Sequence, residues 1–323
     1  MHVGLLYTRA DEENKRDDTI DPHGALQMDL TVKAIEGALI SNGHKVTRIG
    51  AGIDLLRDIK SIENLEVIFN ACTGITNKIQ QANVVGMLEL TGLPFVGSSL
   101  SSHILGLHKE VSKLMFLNSG IKTPNFQVFK SGDEPVSQSL KYPLIIKPEH
   151  EGSSLGITDA SLVYNEKDLR DGIIKIFEVF NQKALVEEFI VGREFTIGLL
   201  GNNKPEVLPI QEIIFDTNDG MGFMTVDIKA NDTVKVKCPA DIDSNLENKI
   251  KDQASIAYRA LGCRGYARID VRVGRDGVPY FLEINTLPGM QPDYSDFPRV
   301  AIGGGYTYEE LIQKLLDLSL SVS

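Results

Sequence analysis

Short apolar runs and helical patterns alternate from residue 1 to about residue 103. Val3 to Tyr7, Val46 to Ile49 and Val67 to Asn70 read as strands, and Leu30 to Ile40 as an amphipathic helix stopped by Asn42-Gly43. Val84 to Leu90 is helical in pattern, and Gly92 to Gly97 leads into a further strand. This alternation predicts a parallel sheet with crossover helices. Asp11 to Gly24, between the first strand and the first helix, is a long charged loop, and such loops in compact domains are usually functional or disordered.

A second block opens near His103. His108 to Asn118 is a helix with Val111, Leu114 and Met115 on one face. Phe126 to Phe129 and Tyr142 to Lys147 are strands, Asp168 to Phe180 a helix and Ala184 to Phe189 a strand. The third block is β-rich: Glu194 to Leu200, Glu206 to Ile214, Ala267 to Val273 and Pro279 to Ile284. Asp216 to Thr233 has no clean periodicity, is rich in Asp, Asn and Gly, and reads as a mobile loop. Leu246 to Leu261 is a helix. In the final helix Thr307 and Glu310 form a capping box ahead of the stripe Tyr308, Leu311, Ile312, Leu315 and Leu316.

Composition narrows the class. A net charge of −11 leaves no broad basic face, which argues against nucleic acid or an anionic membrane as partner. The three cysteines, Cys72, Cys238 and Cys263, are far apart and form no C-x-x-C pair, so neither a disulfide framework nor a cysteine zinc site is expected. No run approaches the ~20 apolar residues of a membrane span, and the N-terminus reads as a strand, not a signal peptide. A cytoplasmic location is the expectation.

The sharpest chemical signal is a hairpin. Arg268-Ile-Asp-Val-Arg-Val273 and Phe281-Leu-Glu-Ile-Asn285 both alternate with period two, and Asp276-Gly277 marks the turn between them. This register puts Asp270 opposite Glu283 and Arg268 opposite Asn285, with Leu282 and Ile284 toward the core. Opposed carboxylates repel unless something offsets them. Two readings stand at this point: a Mg²⁺ site built from Asp, Glu and Asn oxygens, or a solvated polar face neutralised by Arg268 and Arg272.

Lys147 ends an apolar strand and is followed by Glu151-Gly-Ser-Ser-Leu-Gly156. Such a loop either brings backbone N–H groups up to a phosphate or is a plain turn, and no Walker A motif is present. Glu187 and Glu188 interrupt an apolar strand, either to receive adenine and ribose donors or as edge-strand charges.

Taken in this order, the segments resemble the ATP-grasp superfamily and, within it, the D-alanine–D-alanine ligases. The likeness runs from about Phe69 to Leu316. It is carried by Ile146-Lys-Pro-Glu-His-Glu-Gly-Ser-Ser-Leu-Gly156, Val186-Glu-Glu-Phe-Ile-Val-Gly-Arg-Glu-Phe-Thr196, Gly265-Tyr-Ala-Arg-Ile-Asp-Val271 and Leu282-Glu-Ile-Asn-Thr-Leu-Pro-Gly-Met290. The resemblance implies an α/β and α+β chain in three parts: a parallel-sheet domain over 1–103, a central ATP-grasp subdomain over 104–186 and a C-terminal metal and substrate domain over 187–323. It implies ATP contacts from Lys109, Lys147, Ser153, Ser154 and Lys229. Glu187, Phe189 and Ile190 would line the adenine site, and Glu194 would hold the ribose. Asp270, Glu283 and Asn285 would bind Mg²⁺, or Mn²⁺ in its place. Arg268 and the Gly289 backbone would stabilise the tetrahedral intermediate, with Ser153 and Lys229 completing the catalytic group. A homodimer acting on small carboxylate and amine substrates, amino acids by class, is also implied.

The departures concern the substrates. Where the family carries a His-Gly loop ending in Gly-Glu-Asp-Gly, this chain has Thr73 to Asn83. The family's Glu for the first amine has no clear counterpart, His23 falling nearest, and the Tyr after the mobile-loop lysine, Lys229, is Ala230. Ser295 is kept within an altered second-substrate segment, Gln291 to Pro298. The expected activity is therefore an ATP-dependent carboxylate–amine ligase forming an amide through an acyl-phosphate, with a first substrate other than D-alanine. Authentic D-alanine–D-alanine synthesis and a non-catalytic ATP-binding module are the alternatives.

Overall fold

The computed structural model describes residues 1–9, 24–75, 80–217 and 219–321. The first part contains β1 (His2–Thr8), α1 (Gly24–Ser41), β2 (Lys45–Ala51), α2 (Leu55–Ser61), β3 (Val67–Asn70), α3 (Gln81–Thr91) and α4 (Leu100–Leu107). Its sheet is parallel in the order β2-β1-β3. The predicted strand after Gly92 is only a bridge from Phe95 to Ile68. Pro94 offers a carbonyl but no N–H, so pairing stops at the two bonds either side of Phe95.

Next come α5 (Lys109–Asn118), β4 (Phe126–Phe129), β5 (Leu144–Pro148), β6 (Leu162–Val163), α6 (Glu166–Phe180) and β7 (Ala184–Glu188). The strands form an antiparallel sheet in the order β4-β7-β5-β6. Helix α6 follows its sequence closely. The Asn165 side chain caps it through the Asp168 N–H, Leu169, Ile173 and Ile176 bury one stripe, and Asn181 ends it in a left-handed conformation.

The third part holds β8 (Gly192–Leu200), β9 (Glu206–Val207), β10 (Gln211–Ile214), α7 (Val226–Asn231), β11 (Lys235–Lys237), α8 (Ser244–Ala260), β12 (Tyr266–Gly274), β13 (Pro279–Asn285), α9 (Asp296–Gly303) and α10 (Tyr308–Leu320). Its sheet runs β11-β10-β8-β12-β13, with β9 beside β8. α8 and α5 cover one face through Phe116, Ile250, Ala254, Ala257 and Tyr258. The other face looks across a cavity toward the β4-β7-β5-β6 sheet.

Helix α10 packs back onto the first sheet. Leu311, Ile312, Leu315 and Leu316 share one core with Val3, Leu5, Val32, Ile35, Leu39 and Phe69. The capping box is formed as expected, with both Thr307–Glu310 bonds present.

His103, on α4, is fully buried where the first part meets β13. Its Nδ1 lies 3.0 Å from Thr286 Oγ1 and 3.3 Å from Gln81 Nε2. Burial, helped by the charge of Arg264, lowers its pKa from 6.5 to about 4. The unfolded chain therefore takes up this proton at a higher pH than the folded chain, and acid in that window favours unfolding. Between pH 6.5 and 4 this one group should cost the fold about 3 kcal/mol. A His103→Gln variant should lose correspondingly less stability over that range in denaturant titrations; equal slopes for the two proteins would remove His103 as the cause.

Candidate active site

The two antiparallel sheets enclose a cavity of about 500 Å³. β12 and β13 supply its floor. Arg268 pairs with Asn285 and Asp270 with Glu283, as the period-two pattern predicts. The turn is one residue longer than expected, and a register shift after Asp270, with Leu282 as the extra residue, compensates. That bulge corrects one expectation: Leu282 does not face the core. It lines the cavity beside Glu283, while Phe281 and Ile284 take the buried positions.

The acids are tightly held. Asp270 accepts from Thr196 Oγ1 at 2.6 Å and from Arg268 at 3.0 and 2.8 Å. Asn285 Nδ2 lies 3.2 Å from Asp270 and 3.3 Å from Glu283. Burial raises the Asp270 pKa against the pull of Arg268, and the facing Glu283 raises it further. Burial acts on Glu283 in the same sense, but Lys109, Lys147 and Arg268 outweigh it and bring its pKa down to about 2. Two carboxylates and an amide oxygen on one face are a donor set that fits a hard divalent cation.

Above the floor stand the lysines. Lys109 Nζ is 3.6 Å from Glu283 and donates to the Glu151 carbonyl. Lys147, at the end of β5, pairs with Glu187. The second oxygen of Glu187 meets Lys113 at 2.7 Å, and Lys113 also donates to Thr123. Burial pushes the Lys113 pKa down to about 8, incompletely offset by Glu187. Lys147 is buried too, yet Glu187 and Glu283 together raise it. Nothing in the sequence marked Lys113; its position four residues after Lys109 puts it on the same side of α5.

The glycine loop is conformationally committed. Ser153 and Ser154 both have φ of 57°, a left-handed region that costs non-glycine residues of order 1–3 kcal/mol each. Leu155 and Ile157 close turns inside the loop, and the N–H groups of Ser153 and Ser154 find no protein acceptor among the described residues. Consecutive N–H groups in such a curl form an anion cradle.

Phe189 and Ile190 line the opposite end with Glu187. Glu194, buried on β8, accepts from Arg272 at 2.7 Å. Arg272 does not neutralise the hairpin acids. Its guanidinium lies over Phe189, donates to the carbonyls of Ile190 and Gly192, and reaches Gly220 at 3.0 Å and Gly222 at 2.8 Å. It ties the Phe189 end of the cavity to the 216–233 segment.

That segment, read as a loop, contains α7, a helix of six residues capped by Thr225. Six residues are too few to show a period, and α7 has no buried residue of its own. Tertiary bonds hold it over the cavity: Val226 N to Ile157 O at 2.9 Å, Tyr294 Oη to Lys229 O at 3.0 Å, and Arg299 to Asp232 at 2.6 Å. Lys229 points in without an ion pair among the described residues. Partial loss of water around its ammonium lowers its pKa, and the charge of Arg268 adds to this.

Arg268 also meets Asp296 at 3.3 Å. Gly289 lies under Ser295, whose Oγ would sit 2.7 Å from any Cβ at residue 289, so only glycine fits without a shift. From the first part, Gly24, Gln27, Met28, Thr31, Thr73 and Gln81 line the cavity. Thr73 is fixed by its N–H to Thr8 Oγ1 at 3.0 Å. His23 lies outside the described residues.

Two sheets closing on a lysine-, glycine-loop- and carboxylate-lined cleft define an ATP-grasp fold. Solved structures agree. A Bacillus anthracis D-alanine–D-alanine ligase complexed with ATP superposes with a TM-score of 0.79 at 24% identity, over 100% of this chain and 98% of the other. The Enterococcus faecalis VanG D-Ala:D-Ser ligase gives 0.77 at 23%, covering 98% and 99%. The family described as D-ala D-ala ligase C-terminus matches residues 115–317. The Carboxydothermus hydrogenoformans D-alanine–D-alanine ligase is 34% identical over 300 residues, 90% of this chain and 92% of that one. The uncharacterized protein y4sG of Sinorhizobium fredii is 36% identical over 255 residues, 78% of this chain and 74% of that one. The chain thus belongs to the D-alanine–D-alanine ligase family of ATP-dependent, ADP-forming ligases.

If Arg272 anchors the 216–233 segment as a lid over the cavity, Arg272→Lys should loosen it, because an ammonium cannot reach four carbonyls and Glu194 at once. Limited proteolysis should cut residues 219–224 several-fold faster in the variant, with ATP slowing the cut. An unchanged rate would mean the lid is held elsewhere.

Proposed function

We propose that this ligase phosphorylates a carboxylic acid with ATP and joins it to an amine through the acyl-phosphate, and that its first substrate is not D-alanine. One observation carries the second part. The nucleotide end is complete, whereas the described cavity wall from the first part offers only neutral groups: Gly24, Gln27, Met28, Thr31, Thr73 and Gln81. A buried ammonium needs an anionic or fully hydrogen-bonded partner, and among the described residues that wall supplies no carboxylate. An acid whose amine is absent, acylated or displaced fits it better.

In this reading Ser153 and Ser154 cradle the phosphates, with Lys109, Lys147 and Lys229 around them. Asp270, Glu283 and Asn285 hold Mg²⁺, which when bound neutralises phosphate oxygens. The substrate carboxylate attacks the γ-phosphorus and ADP leaves. The amine then attacks the acyl carbon, Arg268 and the Gly289 N–H stabilise the developing oxyanion, and phosphate departs. Ser295 lies beside the amine substrate. Closure of the lid that carries Lys229 keeps water from the acyl-phosphate. No described helix is long and apolar enough to cross a membrane. A homodimeric cytoplasmic enzyme completes the proposal.

The relatives named as D-alanine–D-alanine ligases favour a second reading, in which both substrates are D-alanine. A coupled ADP-release assay over pairs of D- and L-amino acids and amine-free acids, with mass detection of product, separates the two. Weak turnover with D-alanine alone and faster turnover with another acid is expected. Family-range synthesis of D-alanyl-D-alanine would overturn the first-substrate assignment while leaving the ligase chemistry intact.

Glu283→Gln tests the chemistry itself. ADP release should fall by at least about 100-fold, with a change in nucleotide-free stability of no more than about 2 kcal/mol. Near-normal turnover in this variant would sink the metal assignment.

A further inference from the structure

Two histidines and a glutamate meet where α5 begins, outside the nucleotide cavity. His108 Nδ1 and His150 Nδ1 each lie 2.9 Å from the same oxygen, Oε2 of Glu149. The ligand atoms of the three residues lie within 4.8 Å of one another, and the two rings stand 5.2 Å apart. The Glu149 side chain is 3% exposed, that of His150 15% and that of His108 38%, so the cluster is anchored on one side and open on the other.

The backbone holds these residues without help from the cluster. Lys109 N donates to Glu149 O at 3.2 Å, Glu149 N to Lys183 O at 3.1 Å, and His150 N to Gln182 Oε1 at 3.0 Å. Glu149 Oε1 accepts the Glu110 N–H at 3.1 Å and so caps α5, whose own N-cap residue, His108, makes no side-chain cap. That capping uses Oε1 alone. It leaves unexplained why two imidazoles converge on Oε2, and the ligase chemistry uses none of the three side chains.

We propose that His108, Glu149 and His150 bind a transition-metal ion of the Zn²⁺ type, at a site separate from the Mg²⁺ ligands. Two imidazole nitrogens and one carboxylate oxygen suit Zn²⁺ or Co²⁺ and are a poor set for Mg²⁺. Around a tetrahedral ion at about 2.0–2.2 Å, ligand atoms stand roughly 3.4 Å apart. The two N···O contacts would thus open by about half an ångström, a change the half-exposed His108 can make. The ion takes the place of the two Nδ1 protons now directed at Oε2. Solvent completes the shell on the open side. The two segments it joins flank Lys109 and lead into the phosphate loop, and Lys109 already bonds the Glu151 carbonyl. A bound ion therefore clamps the start of α5 to that loop.

The test titrates the chelator-treated full chain, without nucleotide, with Zn²⁺ by calorimetry and Co²⁺ by visible spectroscopy. One ion per chain should bind and raise the thermal midpoint by mass action. His108→Ala and His150→Gln should each weaken binding by at least roughly tenfold, and Asp270→Asn should not. Thermal midpoints of the metal-free variants come first; if His150→Gln does not fold, His108→Ala, at the more exposed position, decides. Absence of stoichiometric binding, equal binding by the histidine variants, loss in Asp270→Asn, or a thiolate-to-cobalt band from Cys238 would each overturn the site.

Discussion

Two carboxylates face each other across β12 and β13, and the centre of the molecule is arranged around that repulsion. Asp270 and Glu283 are taken out of bulk water, where their mutual charge is weakly screened. Arg268, Lys109, Lys147 and Lys229 approach from three directions. The cations are themselves costly to bury, and two of them have a second anion: Glu187 for Lys147, Asp296 for Arg268. Remove the central pair and this ring of positive charge loses its counterweight. The site is therefore electrostatically organised before any nucleotide enters.

The hairpin register was legible because period two is unforgiving: a slip of one residue would have turned Asp270 and Glu283 into the apolar core beneath the sheet. α6 and α10 were legible for a related reason, since each is long enough to show its stripe and carries its own cap. What escaped had no local signature. Arg272 looks like Arg268 in the sequence, and only the fold shows that one meets Asp270 on the carboxylate face and the other the carbonyls of Gly220 and Gly222. Lys113 reads as an ordinary helix lysine until Thr123 and Glu187 close over it. The bulge at Leu282 and the short helix α7 depend on tertiary contacts, which no window of neighbouring residues records.

The cavity joins parts with different degrees of commitment. Floor, glycine loop and lid are cross-linked by buried charge and backbone bonds, so side-chain identity there is constrained from several sides at once. The described wall from α1, α3 and the residues after β3 is built of small polar and apolar groups without buried ion pairs. Substrate preference can change on such a wall without disturbing the phosphate chemistry, which is one physical route by which a single scaffold serves several acids.

The seat of α10 on the first sheet bears on how the chain is made. Leu311, Ile312, Leu315 and Leu316 complete a core begun by Val3 and Leu5. During synthesis the β1-β2-β3 sheet leaves the ribosome long before its covering helix exists. Until then one side of that sheet exposes an apolar face to the nascent chain's surroundings, so the earliest segment is among the last to be sealed. Premature termination anywhere before Tyr308 would leave that face open, marking truncated chains for chaperones and proteases.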